Sequence, residues 1–241
     1  MELSEEIAKW IKKHLEKSGK NGIIFGLSGG LDSAVLANLA KMAAGDNALG
    51  LILPCKSSRE DGELAVKAAE AAGIKTGKVL LDGVFDELCG ACRSANTMAK
   101  ANLKPRLRMV VLYYFANTLD YLVAGAGNKS ELTIGYFTKY GDGAVDILPL
   151  GGLLKEEVRR LAKKLGVPEE IIKRPPSAGL WKGQTDEAEI GLTYDELDST
   201  IEAIEKNKTQ GMDKKTLDKV RNMIKDSEHK RKKIPVFRRE K

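Results

Sequence analysis

Two carboxylates stand where the text around them suits an anion. "GLSGGLDS" runs from Gly26 to Ser33 with Asp32 near its end, and "GAGNKSE" runs from Gly125 to Glu131. A glycine-rich turn into a helix N-terminus offers unpaired backbone N–H groups and a positive dipole end, which together bind phosphate. Gly26, Leu27, Ser28, Gly29, Gly30 and Leu31 form such a turn, and Ser28 and Ser33 add hydroxyls. The common phosphate loop, G-x-x-x-x-G-K-[ST], closes on a lysine; this one does not. A carboxylate about 4 Å from a bare phosphate charge costs about 4 kcal/mol at an effective dielectric near 20. A Mg²⁺ ion between them inverts the sign. The pattern therefore points to Mg·ATP, with Asp32 and Glu131 as its carboxylate ligands.

Other readings compete. "GLSGG" fits the nucleophile elbow G-x-S-x-G, with Ser28 as nucleophile. One of the two histidines, His229, follows late in the chain, but in the charged run "EHKRKK". A triad base needs a fixed orientation, and the hydrolase reading leaves Asp32 and "GAGNKSE" without a role. A dinucleotide fingerprint would need glycine at Ser130. Asp32 taken alone is also an ordinary first-turn acid of a helix.

Strands and helices alternate around these loops. "GIIFGL" (22–27), "ALGLILP" (48–54), "KTGKVLL" (75–81) and "DYLVAGA" (120–126) read as strands, apolar on both faces. Helices are expected over 33–44, over "EDGELAVKAAEAA" with a Ser57–Glu60 capping box, over "RLRMVVLYYFANTL", over 155–165, and near 194–206 and 213–230. The alternation predicts a doubly wound α/β fold: a parallel sheet, helices on both faces, and a helical C-terminal region. Such sheets bind ligands beyond the carboxyl ends of their strands, where both glycine-rich loops lie. One domain over 1–241 is expected, with a core to about residue 170 and a basic helical end from about 194. Arg174–Thr193 has little structure-forming text and reads as a mobile loop over the site.

Composition narrows the class. The chain has 241 residues, 42% apolar and 31% charged, with net charge +6. Residues 206–241 hold 14 Lys and Arg against 5 Asp and Glu, so the positive excess is C-terminal. No apolar run suits a membrane span, and the acidic start "MELSEEIAKW" does not resemble a signal peptide. A cytoplasmic protein with no membrane and no nucleic-acid partner is expected. Cys55, Cys89 and Cys92 are too few for a disulfide framework or a four-ligand zinc site, and read as buried or half-buried thiols.

"SGGLDS" resembles the loop of N-type ATP pyrophosphatases, the adenine nucleotide alpha hydrolase-like fold. The long block from "GAGNKSELTIGYFTKYGDGAVDILPLGG" through "PPSAGLWKGQTDEAEIGLTYDELD" is similar to the ammonia-dependent NAD synthetase family, as are "NLKPRLRM" and "EHKRKKIP". The resemblance covers nearly the whole chain. It implies a ligase that amidates deamido-NAD⁺ with ammonia, converting ATP to AMP and pyrophosphate through an acyl-adenylate. It implies a homodimer, with deamido-NAD⁺ near the subunit interface. It also implies that Gly26–Ser33, Ala126, Lys155 and Ser177 contact ATP, and that Arg106, Lys139, Asp146, His229 and Lys230 contact deamido-NAD⁺. Asp32, Glu131 and Lys155 would carry catalysis, with Mg²⁺ on the two acids. The family commonly has threonine where Ala126 stands, so any side-chain bond there is lost, roughly 0.5–1.5 kcal/mol. Arg106 follows Pro105, which suits a helix first turn. No stretch is left for a glutaminase domain, so free ammonia is the expected nitrogen source. A tRNA-modifying ATP pyrophosphatase using the basic end is the alternative with the same loop.

Overall fold

Four short strands pair in parallel in the order β3-β2-β1-β4: β1 (Gly22–Gly26), β2 (Ala48–Ile52), β3 (Lys75–Lys78) and β4 (Tyr121–Val123). The computed structural model describes residues 1–92, 96–181 and 183–239. Ile24 sits at the centre of the sheet, opposite Leu49 on one side and Val123 on the other. Helices join and cover the strands: α1 (Leu3–Ser18), α2 (Leu31–Ala44), α3 (Arg59–Ala72), α4 (Asp82–Ala91), α5 (Thr97–Leu119), α6 (Lys129–Ile134), α7 (Lys155–Lys164) and α8 (Glu169–Lys173). Beyond them lie α9 (Asp186–Ile190), α10 (Tyr194–Glu205), α11 (Lys214–Asp226) and α12 (Glu228–Arg231).

The period of two in a strand sends alternate side chains to opposite faces. Ile23 and Phe25 join Ile11, Leu36, Leu39, Val158 and Ile171 in one buried cluster under α1, α2, α7 and α8. Ile24, Leu51 and Val123 face the other way, onto Leu107, Leu112 and Ala116 of α5. Both faces of the sheet are thus covered, as the doubly wound reading expects. A third cluster, with Ile134, Tyr194, Leu197, Ile201 and Val220, fastens the C-terminal helices to α6.

Several expectations need correction. The strands are shorter than their apolar runs, because the chain leaves the sheet early to build loops. Gly125 N already donates to Ile147 O at 2.9 Å. Asp120 is the left-handed C-cap of α5 (φ 58°) and so precedes β4. β3 is not apolar on both faces: Lys75, Thr76 and Lys78 are exposed, as edge strands with lysines are. The capping box of α3 is Ser58 with Asp61, not Ser57 with Glu60. Ser57 Oγ is occupied by Cys55 N and the Arg108 guanidinium, each at 3.2 Å. Pro105 lies inside α5 and not in its first turn, because Asn96 caps that helix by accepting from Met98 N and Ala99 N. The stretch 174–193 is not structureless, since it contains α9. Cys92 is exposed, while Cys55 is buried and Cys89 half-buried.

The glycine-rich turn is wedged against α3. Gly29 has φ +80°, and a Cβ there would stand 2.5 Å from Asp61 O and 2.9 Å from Ala65 N. Gly29→Ala should therefore lower stability by roughly 2 kcal/mol or more, from left-handed strain and overpacking together. The check is a lower urea midpoint at unchanged m-value.

Candidate active site

β1 and β4 are neighbours, so the loops at their carboxyl ends meet at the point where strand order reverses. Each loop opens a helix. Gly30 is the N-cap of α2, which puts Asp32 in its first turn. Asn128 is the N-cap of α6, with Glu131 completing its capping box. Glu131 therefore stands on a helix and not in the loop itself. Asn128 ties the two starts together: its Oδ1 accepts from Glu131 N at 3.0 Å, and its Nδ2 donates to Asp32 Oδ1 at 3.0 Å.

Lys155 closes the arrangement. Its Nζ is 2.5 Å from Asp32 Oδ2 and 3.3 Å from Glu131 Oε1, and the side chain is only 2% exposed. It also lies over the Tyr194 ring, 4.9 Å from the centroid. Lys155 is the first residue of α7, where the helix dipole repels a cation. Acids offset this. Ser130 Oγ accepts from Lys155 N at 3.0 Å and donates to Asp198, whose other oxygen accepts from Glu156 N at 3.1 Å. Burial works against the Lys155 charge, but Asp32 and Glu131 outweigh it and raise its pKa, so it stays an ammonium. Burial pushes the Glu131 carboxyl up, Lys155 pulls it down, and Asp32 pushes it up again. Two carboxylates sharing one cation is an arrangement a divalent ion satisfies. Among the described residues no third His, Cys, Asp or Glu joins them. The remaining ligands of a hard ion would have to come from phosphate and water, as suits Mg²⁺ carried by a nucleotide.

The turn itself is closed by its two serines. Ser33 Oγ donates to Gly30 O at 2.9 Å and accepts from Ser28 N at 3.2 Å. Ser28 Oγ is 3.0 Å from Ser33 Oγ and accepts from Gly30 N at 3.2 Å. Among the described residues no histidine partners Ser28, which weighs against the hydrolase reading: His14 stacks on Trp10 in α1, and His229 lies in α12. A cleft of about 650 Å³ opens beside the turn. Gly26 to Ser33 line it, except Gly29, together with Ala126, Glu131, Lys155, Ser177 and Lys230.

The residues expected to hold the second nucleotide divide. Four come together around the loop after α6. Arg106 donates to Lys139 O at 3.3 Å, and Lys139 Nζ to His229 O at 2.8 Å. Lys230 Nζ donates to Gly135 O and Phe137 O at 2.6 and 2.8 Å. Lys230 reaches the cleft, whereas Arg106, Lys139 and His229 stand outside its wall. Asp146 is held elsewhere, by Tyr113 OH at 3.1 Å and Val123 N at 2.8 Å.

Sequence reasoning missed Asn128, Asp186, Tyr194 and Asp198. Asn128 was readable, since N-x-x-E before a helix is a capping pattern. The other three act on residues far away in sequence, and no local signal marks them.

The whole chain can now be compared with known proteins. The family model for NAD synthase matches residues 3–234. A curated NH(3)-dependent NAD(+) synthetase of Finegoldia magna is 49% identical, over 95% of this chain and 93% of its own. That of Carboxydothermus hydrogenoformans is 45% identical, over 97% and 96%. Among solved structures, an NMN synthetase from Francisella tularensis has TM-score 0.90 at 36% identity, covering 97% of this chain and 96% of its own. An NH3-dependent NAD synthetase from Campylobacter jejuni, in complex with a nitrate ion, has TM-score 0.86 at 27% identity, covering 99% and 100%. A glycine-rich turn with two carboxylates and a lysine, within a match of this length, means that the chain belongs to the NAD synthase family.

Proposed function

We propose that the chain amidates deamido-NAD⁺ with ammonia at the expense of ATP, giving NAD⁺, AMP and pyrophosphate. The observation that carries this is the meeting of Asp32, Glu131 and Lys155 at the glycine-rich turn. A carboxylate does not accept an amine at neutral pH, because its oxygen leaves poorly. Attack of the nicotinate carboxylate on the α-phosphorus forms an acyl-adenylate and releases pyrophosphate. Ammonia then displaces AMP. The protein's share is positioning and charge stabilisation.

The turn from Gly26 to Ser33 would bind the phosphates through backbone N–H groups, with Ala126 and Ser177 facing the same cleft. Asp32 and Glu131 would hold Mg²⁺, which neutralises the departing pyrophosphate. Lys155, released from one carboxylate as that ion binds, would turn its charge towards the phosphates. Arg106, Lys139, Asp146, His229 and Lys230 would bind deamido-NAD⁺. The stretch 174–193 would close over both nucleotides. A homodimer fits the exposed apolar face of α4 and α5, where Val84, Val110 and Tyr114 are 50%, 57% and 68% exposed. No helix among the described residues is long and apolar enough to cross a membrane. A cytoplasmic site of action completes the reading.

The resemblance to an NMN synthetase supports a second reading, in which the acceptor is nicotinate mononucleotide. It shares every step of the chemistry and differs only in whether an adenylate half is bound.

Three outcomes are expected. Purified protein with Mg·ATP, ammonium and deamido-NAD⁺ should release pyrophosphate, with kcat/KM above that for nicotinate mononucleotide; the reverse order would favour the second reading. Asp32→Asn should lower kcat about a hundredfold while circular dichroism stays native. Lys155→Met should cost roughly 3 kcal/mol in urea unfolding without Mg²⁺, because it leaves two half-buried carboxylates without the cation they share.

A further inference from the structure

Asp186 is a buried acid that the mechanism above does not use. It is 4% exposed, and no lysine or arginine bonds to it among the described residues. Two donors satisfy it instead, Tyr194 OH at 3.1 Å and Ala178 N at 3.0 Å; Tyr136 OH lies 3.1 Å from it but gives its one proton to Glu189 at 2.8 Å. Its own N–H donates to Pro176 O at 2.9 Å. Pro176 and Ala178 are the two neighbours of Ser177, which faces the cleft. One residue thus fixes the backbone on both sides of Ser177.

The same carboxylate reaches the catalytic pair. Tyr194 OH is 3.1 Å from Asp186 Oδ2 and 3.4 Å from Glu131 Oε1, and a phenol has one proton to give. The shorter bond goes to Asp186, which sets the ring on which the Lys155 ammonium rests. Nearby bonds stiffen the segment without passing through Asp186. Leu180 N donates to Gln184 Oε1 at 2.7 Å, and Lys104 Nζ to Leu180 O at 2.7 Å. The fold of the segment therefore has other supports, whereas Asp186 links the backbone on both sides of Ser177 to Tyr194, which neighbours Glu131 and Lys155.

We infer that Asp186 is a positioning residue that registers the Ser177 segment against the Glu131–Lys155 pair, so that ATP affinity depends on it; this rests on the ATP-dependent reading above. Loss of Asp186 would act first on the triphosphate, because the backbone it holds is that on either side of Ser177. Asn at this position keeps the size but replaces one acceptor oxygen by a donor. One of its donors then loses its partner.

The test compares native protein with Asp186→Asn, using α,β-methylene-ATP with Mg²⁺ in titration calorimetry and steady-state turnover in parallel. The analogue Kd and the KM for ATP should each rise about tenfold, one lost hydrogen bond to a charged group. The KM for the nicotinate substrate should stay within twofold. Ser177→Ala added to Asp186→Asn should cause no more than a further twofold loss, because Ser177 is already misplaced. Tyr194→Phe keeps the acid and the ring beneath Lys155 and removes the donor that ties Asp186 to the pair. It should shift the same two constants by about threefold, and it decides the matter if Asp186→Asn does not fold. Native-like analogue binding in both variants, an equal rise in both KM values, or multiplicative losses with Ser177→Ala would overturn the inference. Native protein that binds the analogue but never turns over would refute the ligase reading, and the calorimetric arm would still judge Asp186.

Discussion

A single buried ammonium shared by two carboxylates holds this molecule's site together. Lys155 comes from α7, Asp32 from α2 and Glu131 from α6. None of the three is stable in its place alone. The lysine sits at the positive end of a helix and out of water; the two acids sit close enough to repel one another. Together the one ammonium offsets the repulsion between the two acids. The surrounding groups serve this balance: Asn128 fixes the acids relative to each other, and Asp198 with Ser130 fixes the start of α7.

The parallel sheet makes the meeting possible. β1 and β4 are adjacent in space while almost a hundred residues apart in sequence. Their loops therefore converge without either being long. Small residues matter at this junction for a packing reason. Gly29 lets α3 press against the turn. Gly125 leaves no space for a Cβ beside Leu148 and Val145, which would stand under 3.0 Å from it.

Much of this was legible in the sequence. The four strand positions, the helix after the first glycine-rich turn and the convergence of the loops that carry Asp32 and Glu131 could all be read from residue types and spacing. These are local signals: periodicity, glycine, and an acid at a helix start. What could not be read is non-local. Ser57 was misassigned as a cap because its true partner, Arg108, lies on another helix. Pro105 looked like a helix start because the stronger cap, Asn96, lies upstream of it. Stretch 174–193 looked unstructured because its order comes from side chains such as Asp186 and Gln184, whose partners are tyrosines and backbone groups and not a hydrophobic stripe. Arg106, Lys139, Asp146, His229 and Lys230 could be singled out only by resemblance, and the structure gathers four of the five.

The cap on α7 has a consequence for synthesis. Asp198 lies in α10, 43 residues after the lysine whose helix it steadies. A chain emerging from the ribosome completes its sheet, both glycine-rich loops and α7 before α10 exists. Through that interval the start of α7 carries a cation with one of its offsetting acids missing. The nucleotide cleft of a nascent chain is therefore electrostatically unfinished, although every strand behind it has been made. Those contacts are completed only when α10 docks and brings Tyr194 and Asp198 in the same helix.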